Sequence, residues 1–367
     1  MKLGDIFKLS SGKSLPEKKR ISGECNVYGG NGITGSHNDY FVEEPTIVIG
    51  RVGEYCGAVH LTAEKCWVTD NALMVTEWYQ EVDKEYMTYA LNAMNLHQYA
   101  KTVGQPSISQ ANVYTLDIEL PSIEQQREIV KILNVNKNVL VDRQHELELL
   151  DDLIKARFVE LFGDPIQNPK GWEKPLIEEV VANEKNALKA GPFGSALKKE
   201  YYVESGYKIY GQEQVISGDH TFGDYYIDEE RYKSLENCAV QAGDVLISLV
   251  GTYGKLLIMP EIFEPGIINP RLMKITFDKD KVNPYYFKFF FQSESLKKSL
   301  AENTHGGTMD ILNLGIVRKI AMPLPPLELQ DEFVLFVKQV DKSKFAVQKA
   351  LDETQTLFDS LMQRYFG

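Results

Sequence analysis

The 367-residue chain lacks any apolar run approaching the roughly 20 residues needed to cross a bilayer. Its first residues, Met1-Lys2-Leu3-Gly4-Asp5, carry no apolar stretch of the secretory type. Cysteine is scarce, and Cys25, Cys56, Cys66 and Cys238 read as reduced thiols of a cytoplasmic protein, with Cys56 and Cys66 as buried ones. Neither a His-x-x-x-His pair nor a Cys-x-x-Cys occurs, which argues against a structural or catalytic zinc. A Gly-x-x-x-x-Gly-Lys-Ser/Thr loop is also missing. Gly29-Gly30-Asn31-Gly32-Ile33-Thr34-Gly35 lacks the strand-then-helix setting of a dinucleotide site and reads as a loop. No carboxylates fall in a spacing that suggests acid–base or two-metal hydrolysis. The expectation is a chain without an active site or metal of its own.

Positive charge is short as well. Against 52 acidic residues stand 40 basic ones, a net charge of −12. Residues 1–120 carry −5, 121–163 −2, 164–325 −3 and 326–367 −2. A strongly basic balance would point to nucleic acid; here such binding has to work through local patches or with partners that supply charge. Composition is otherwise that of a globular protein, 43% hydrophobic and 25% charged, with length for two or three domains.

What the sequence does contain is a repeat. Leu120-Pro121-Ser122-Ile123-Glu124-Gln125-Gln126-Arg127-Glu128 recurs as Leu324-Pro325-Pro326-Leu327-Glu328-Leu329-Gln330-Asp331-Glu332, an offset of 204. The offset holds without a gap until Phe162-Gly163 meets Phe366-Gly367, with 10 of 43 positions identical from Pro121. In the second copy the heptad rows Val337, Lys344, Leu351, Phe358, Tyr365 and Phe333, Val340, Val347, Thr354, Leu361 are largely apolar. In the first copy Leu133, Leu140, Leu147, Ile154 and Leu161 are all apolar, while Ile129, Asn136, Arg143, Leu150 and Arg157 form a more polar row. With no internal Pro or Gly, this 3-4 spacing predicts two long helices pairing antiparallel as a coiled coil. Proline precedes each helix and glycine ends it. At 1.5 Å per residue each would be about 55–60 Å long.

The expected order is a globular unit over 1–120, a helix over 121–163, a second unit over 164–325 and a helix over 326–367. Asp164–Trp172 joins the copies. Short β-branched runs predict strands at Thr46–Ile49, Ala58–Leu61, Ala72–Val75, Val245–Leu249, Leu256–Met259 and Leu272–Phe277, and helices at Lys84–Leu96 and Pro284–Leu300. Both units are therefore α/β. The repeat extends weakly into them: Ile49-Gly50-Arg51-Val52-Gly53-Glu54-Tyr55 parallels Ile247-Ser248-Leu249-Val250-Gly251-Thr252-Tyr253, and Thr102-Val103-Gly104 parallels Thr304-His305-Gly306.

This architecture, with its paired Leu-Pro-x-x-Glu-x-Gln-x-Glu helix entries and Phe-Gly helix ends, resembles the specificity (S) subunit of type I restriction-modification systems. The resemblance spans essentially the whole chain. Gly191-Pro192-Phe193-Gly194-Ser195-Ala196-Leu197-Lys198 and Ile247–Lys255 also resemble elements of that family's target recognition domains. It implies that each unit reads one half of a split double-stranded DNA target, with the helices setting the gap. The helices would dock two modification (methyltransferase) subunits, joined by restriction/translocase subunits for cleavage. S-adenosylmethionine, ATP and Mg would then belong to those partners, with no cofactor here, no membrane partner and no catalysis by this chain. Asn283-Pro284-Tyr285-Tyr286 resembles the Asn-Pro-Pro-Tyr of amino-methyltransferases but lacks the second proline and reads as a helix start. Two other readings stay open: a methyltransferase or nuclease with an unrecognised site, and a coiled-coil scaffold without DNA binding.

Duplex readout uses Arg, Lys, Asn and Gln at base edges, and amides, hydroxyls and cations at phosphates. In the first unit the candidates are Lys13, Lys18, Lys19, Arg20, Asn31, Arg51, Tyr55, Gln105 and Ser107, the last two in a polar loop before a strand leading to the helix. In the second they are Ser195, Lys198, Lys199, Gln212, Thr252, Tyr253, Lys255, Asn269, Arg271, His305 and Thr308, with Gln214 beside Gln212. For each of these, a solvated surface group or turn former is the competing reading. Arg51 and Arg271 are favoured because each lone arginine sits amid strand and Gly/Pro elements; a salt bridge within the fold is their main rival.

Overall fold

The computed structural model describes residues 1–101, 104–193, 195–249, 254–302 and 312–367. Two compact units divide it: unit 1 is Met1–Glu146 with Val347–Gly367, and unit 2 is Leu147–Ala346.

Unit 1 contains β1 (Phe7–Ser11), β2 (Cys25–Gly29), β3 (Gly32–His37), β4 (Ile47–Gly50), β5 (Val59–Leu61), β6 (Trp67–Val68) and β7 (Ala72–Trp78). An antiparallel sheet has the order β1-β7-β4-β5. A smaller sheet, β3-β2-β6, pairs β2 antiparallel with β3 and parallel with β6. β4 is buried along its whole length, as its continuous apolar run requires, whereas β1 alternates buried Phe7 and Leu9 with exposed Lys8. Helix α1 (Lys84–Ala93) starts at Asp83, whose carboxylate accepts the Tyr86 N–H at 3.0 Å, and buries Tyr86, Met87, Ala90 and Leu91. Next come α2 (Gln110–Tyr114), capped by Ser109, and the 40-residue α3 (Ile123–Phe162).

Unit 2 repeats this plan. Its elements are β8 (Leu188–Ala190), β9 (Tyr207–Tyr210), α4 (Gln212–Ser217), β10 (Tyr226–Ile227), α5 (Glu229–Ser234), β11 (Val245–Ser248), β12 (Leu256–Ile258), β13 (Gly266–Ile268) and β14 (Leu272–Ile275). The antiparallel order is β8-β14-β11-β12, and β10-β9-β13 again joins one antiparallel and one parallel pair. Strand for strand this is the unit 1 topology, with α4 and α5 added around β10. Helices α6 (Pro284–Phe291), α7 (Glu294–Glu302), α8 (Leu314–Arg318) and the 40-residue α9 (Leu327–Phe366) follow. Asn313 caps α8 as Ser109 caps α2, 204 residues earlier.

α3 and α9 begin at 123 and 327 and end at 162 and 366, so the 204-residue offset is kept at both ends. All twenty heptad-row residues are buried or half-buried, including the polar Asn136, Arg143 and Arg157. In unit 1 Phe366, at the end of α9, joins the cluster of Tyr86, Ala90, Ile129 and Val130 near the start of α3. In unit 2 Phe333, early in α9, meets Phe158 and Phe162, late in α3, at ring-centroid distances of 5.5 Å each. Within each unit, therefore, the two helices run antiparallel. Arg157–Glu332 (2.8 Å) and Lys344–Asp151 (2.6 Å) tie them in unit 2. Gly163 closes α3 at φ +78°, which a side chain would resist, and its N–H donates to the Val159 carbonyl. The junction beyond it is knitted: Asp164 Oδ1 accepts from Ile166 and Gln167, and the Trp172 indole donates to the Phe162 carbonyl.

Several local expectations need correction. Gly29–Gly35 is not a loop but most of a hairpin, with β2 ending at Gly29, β3 starting at Gly32 and Gly30-Asn31 as the two-residue turn. The expected helix over 284–300 is two helices, because the Ser293 hydroxyl accepts the Leu296 N–H and starts α7 afresh. The first-unit counterpart stops at Ala93, and Asn95 takes a left-handed conformation (φ +46°) before a short 3-10 turn, Leu96–Tyr99. No strand follows the Gln105–Gln110 loop; Ser109 opens α2 there, and only an isolated bridge, Lys2 to Asp117, lies between α2 and α3.

Candidate nucleic-acid interface

In each unit the antiparallel sheet and the small sheet meet at one backbone node. In unit 1 it lies at the end of β4. The Arg51 N–H donates to the Asn71 carbonyl, the Thr69 N–H to Tyr28, and the Gly12 N–H to Ala72. In unit 2 the same bonds run from Leu249 to Arg271, from Asn269 to Tyr210 and from Gly191 to Leu272. The Ile108 N–H donates to Arg51 and, correspondingly, the Leu312 N–H to Leu249. The chain is packed tightly here. A Cβ on Gly50 would stand 2.2 Å from the Gly30 carbonyl oxygen, and one on Gly191 only 1.9 Å from that of Asn269. Glycine at these points lets a turn cross directly over a strand end.

Polar side chains gather on this node. Arg51 is exposed and its Nη1 donates to Ser11 Oγ at 3.1 Å. Asn31 sits at the hairpin turn whose Gly30 carbonyl touches Gly50. Tyr55 closes a turn after β4, its carbonyl accepting from Ala58 and its side chain exposed. The Gly53 N–H donates to the Pro106 carbonyl, which brings Gln105 alongside, and Ser107 bridges to Val52 and Lys101. Lys13 leaves β1 beside the node with its ammonium 4.3 Å from the centroid of the Phe41 ring.

In unit 2 Arg271 donates through Nη1 to Gln212 Oε1 at 3.3 Å, and Gln212 Nε2 donates to Ser248 Oγ at 2.7 Å. Asn269 Oδ1 accepts the Arg271 N–H at 2.9 Å. Lys255 is exposed, and its carbonyl accepts the Ser248 N–H at 3.3 Å. Ser195, Lys198 and Lys199 are exposed on the segment that leaves Gly191, with Lys198 paired to Glu200 at 3.3 Å. Phe193 stands 90% exposed on the same segment.

Some candidates do not join. Arg20 spends Nη1 on the Thr34 carbonyl at 2.7 Å and Nε on Leu15, so its guanidinium holds β3 in place. Lys18 and Lys19 are exposed on a one-turn helix, Glu17–Lys19, in the β1–β2 connection. Gln214 is buried, accepting the Gly211 N–H and donating to the Phe222 carbonyl, a structural role. Thr252, Tyr253, His305 and Thr308 lie outside the described residues. Asn283 caps α6 and Pro284 opens it, so the Asn-Pro-Tyr-Tyr segment is a helix start. Ser248 and Asn71 belong to the nodes although nothing singled them out in the sequence. Register alone reveals Ser248, which follows Ile247 in the repeat as Gly50 follows Ile49.

Burial pushes the Cys56 and Cys66 thiols up. Among the described residues no group of three or more His, Cys, Asp or Glu is placed to hold a metal, and no helix is long and apolar enough to cross a membrane.

The family described as type I restriction modification DNA specificity domain matches residues 1–148 and again 169–354. The chain belongs to that family. Both matched stretches follow the two-fold repeat. The MjaVIII specificity subunit of Methanocaldococcus jannaschii is 23% identical over 348 residues, 88% of this chain and 80% of its own length. The EcoprrI specificity subunit of Escherichia coli reaches 31% over 137 residues, 36% of this chain and 34% of its own length. Among solved structures, the S subunit from M. genitalium aligns over 100% of this chain and 95% of its own, with TM-score 0.59 and 16% identity. A chain from work on complex assembly and conformational transition of the type I R-M system gives TM-score 0.63, also at 16%, over 100% and 96%. At that identity the likeness is one of fold.

Proposed function

We propose that this chain is the sequence-reading subunit of a type I restriction-modification complex, each unit reading one half of a bipartite duplex target. The observation that carries this is the duplicated node: two units of one topology, each converging Arg, Asn, Gln and Ser side chains on the same backbone junction. Lys13, Asn31, Arg51, Tyr55, Gln105 and Ser107 serve one half, and Gln212, Lys255, Asn269 and Arg271 the other. Two methyltransferase subunits dock on the long helices, and restriction/translocase subunits join for cleavage. Those partners hold S-adenosylmethionine, ATP and Mg, and this chain contributes no catalytic group. Its acidic balance makes binding to DNA weak until cationic partners close around the duplex.

The helices set the gap between the half-sites. Removing two heptads from both shortens each by about 21 Å, or about six base pairs of duplex. Sequencing of methylated bases in the host, with and without this gene, is the test. Loss of one bipartite motif on deletion is the expected result, with the original gap abandoned in the shortened chain. A motif that survives deletion ends the proposal, and an unchanged gap ends the spacer role.

A further inference from the structure

The two nodes carry their arginines from opposite strands. In unit 1 Arg51 is the donor of the junction bond to Asn71; in unit 2 the equivalent bond, from Leu249, ends on the Arg271 carbonyl, both at 2.9 Å. Each exposed guanidinium gives Nη1 to a neutral acceptor, Ser11 Oγ or Gln212 Oε1. Among the described residues neither pairs with a carboxylate, whereas Arg127 and Arg157 do. Both backbones are pinned on two sides, Arg51 through Asn71 and Ile108, Arg271 through Asn269 and Leu249. Gln212 is oriented as well: its Nε2 donates to Ser248 Oγ and its Oε1 accepts from Arg271.

We propose that Arg51 and Arg271 each read a guanine, one in each half of the target, with Ser11 and Gln212 as positioning residues. This rests on the DNA-reading role above. A phosphate contact needs only charge, which a lysine supplies. A planar fork held at one corner by a neutral group keeps its remaining N–H donors aimed in one plane. Guanine alone offers two adjacent acceptors, O6 and N7, in the major groove. The neighbouring Asn and Gln amides belong to the side chains that pair with base edges in the major groove.

The host methylome supplies the motif. Absence of a motif dependent on this gene would end the DNA-reading role itself; a motif with no fixed G·C pair in one half would end only this inference. Where the pairs are present, the assembled complex is titrated with its cognate duplex and with duplexes carrying 7-deazaguanine, which lacks the N7 acceptor, in one half at a time. The wild-type complex should bind each modified duplex about 5- to 150-fold more weakly. R271A should be insensitive to 7-deazaguanine in one half and normally sensitive in the other, with R51A the reverse. R271K should not restore sensitivity, and Q212A should reduce it partially. Equal sensitivity of R271A and wild type in both halves, with folding checked by thermal melting, overturns the assignment. So does a uniform weakening of R271A on every duplex, which marks a phosphate contact.

Discussion

Gln330 accepts the backbone N–H of Asn283 at 2.9 Å, clasping the start of α9 to the start of α6. Its Nε2 donates to the carbonyls of Lys281 and Pro325. In unit 1 Gln126 repeats the arrangement, accepting from Asp83 at 2.9 Å and donating to Pro121. Both glutamines are buried, so the glutamine of the repeated helix-entry motif is a clasp and not a surface group. Replacing Gln330 by leucine leaves a donor and two acceptors without their partner and should cost about 1–3 kcal/mol. Urea unfolding should place Q330L below Q126L, because Gln126 makes one bond fewer.

Lys274 and Asp244 form a buried pair at 3.1 Å, with the Gln241 N–H and Thr276 hydroxyl completing the carboxylate's bonds. K274M strands the carboxylate and should destabilise unit 2 by about 3–5 kcal/mol. Burial already holds the Asp244 carboxyl above its ordinary value, against the pull of the Lys274 ammonium. A raised carboxyl value means that the folded chain takes up the proton first as pH falls, so this group adds stability on acidification. The deficit of K274M should therefore be greatest at neutral pH and shrink below it, as melts across pH will register.

Glu264 behaves in the opposite sense. The hydrogen bond from buried Lys208, at 2.7 Å, holds its carboxyl below the usual range, with Tyr226 assisting. Its contribution is complete above the ordinary carboxylate value and is lost as pH falls through the lowered one. E264Q should flatten the acid limb of the stability curve, and an unaltered limb would contradict this.

Phe333 is fully buried against Phe158, Phe162 and Phe289, whereas Leu335 two residues on is 62% exposed. F333A should cost about 3–5 kcal/mol by opening a cavity. L335A should stay within about 0.5 kcal/mol in the isolated chain. Denaturation of the two variants side by side checks the contrast.

The long helices were legible because burial repeats every seven residues and nothing in 123–162 interrupts it; even Asn136 and Arg143, which look misplaced in a seam, are half-buried. The central strands β4 and β11 were legible for a different reason, as short β-branched and apolar runs that are buried at every position. Strands β6, β9, β10 and β13 were not, because two to four residues paired across long intervals leave no periodicity to read. Arg51 and Arg271 stood out by their setting, yet Arg20, equally basic, turned out to hold backbone carbonyls. Charge along the chain cannot tell a guanidinium facing solvent from one folded back on its own strand. Partnership between Gln212 and Ser248, 36 residues apart, depends on tertiary placement that no local spacing encodes.

Unit 1 takes its final piece from Val347–Gly367, where Phe366 packs on Tyr86 at 5.3 Å. A ribosome makes that piece only after all of unit 2. Until then unit 1 waits with the Tyr86–Val130 surface uncovered. Ribosome stalling or early termination in the last helix should for that reason damage the portion of the protein made first.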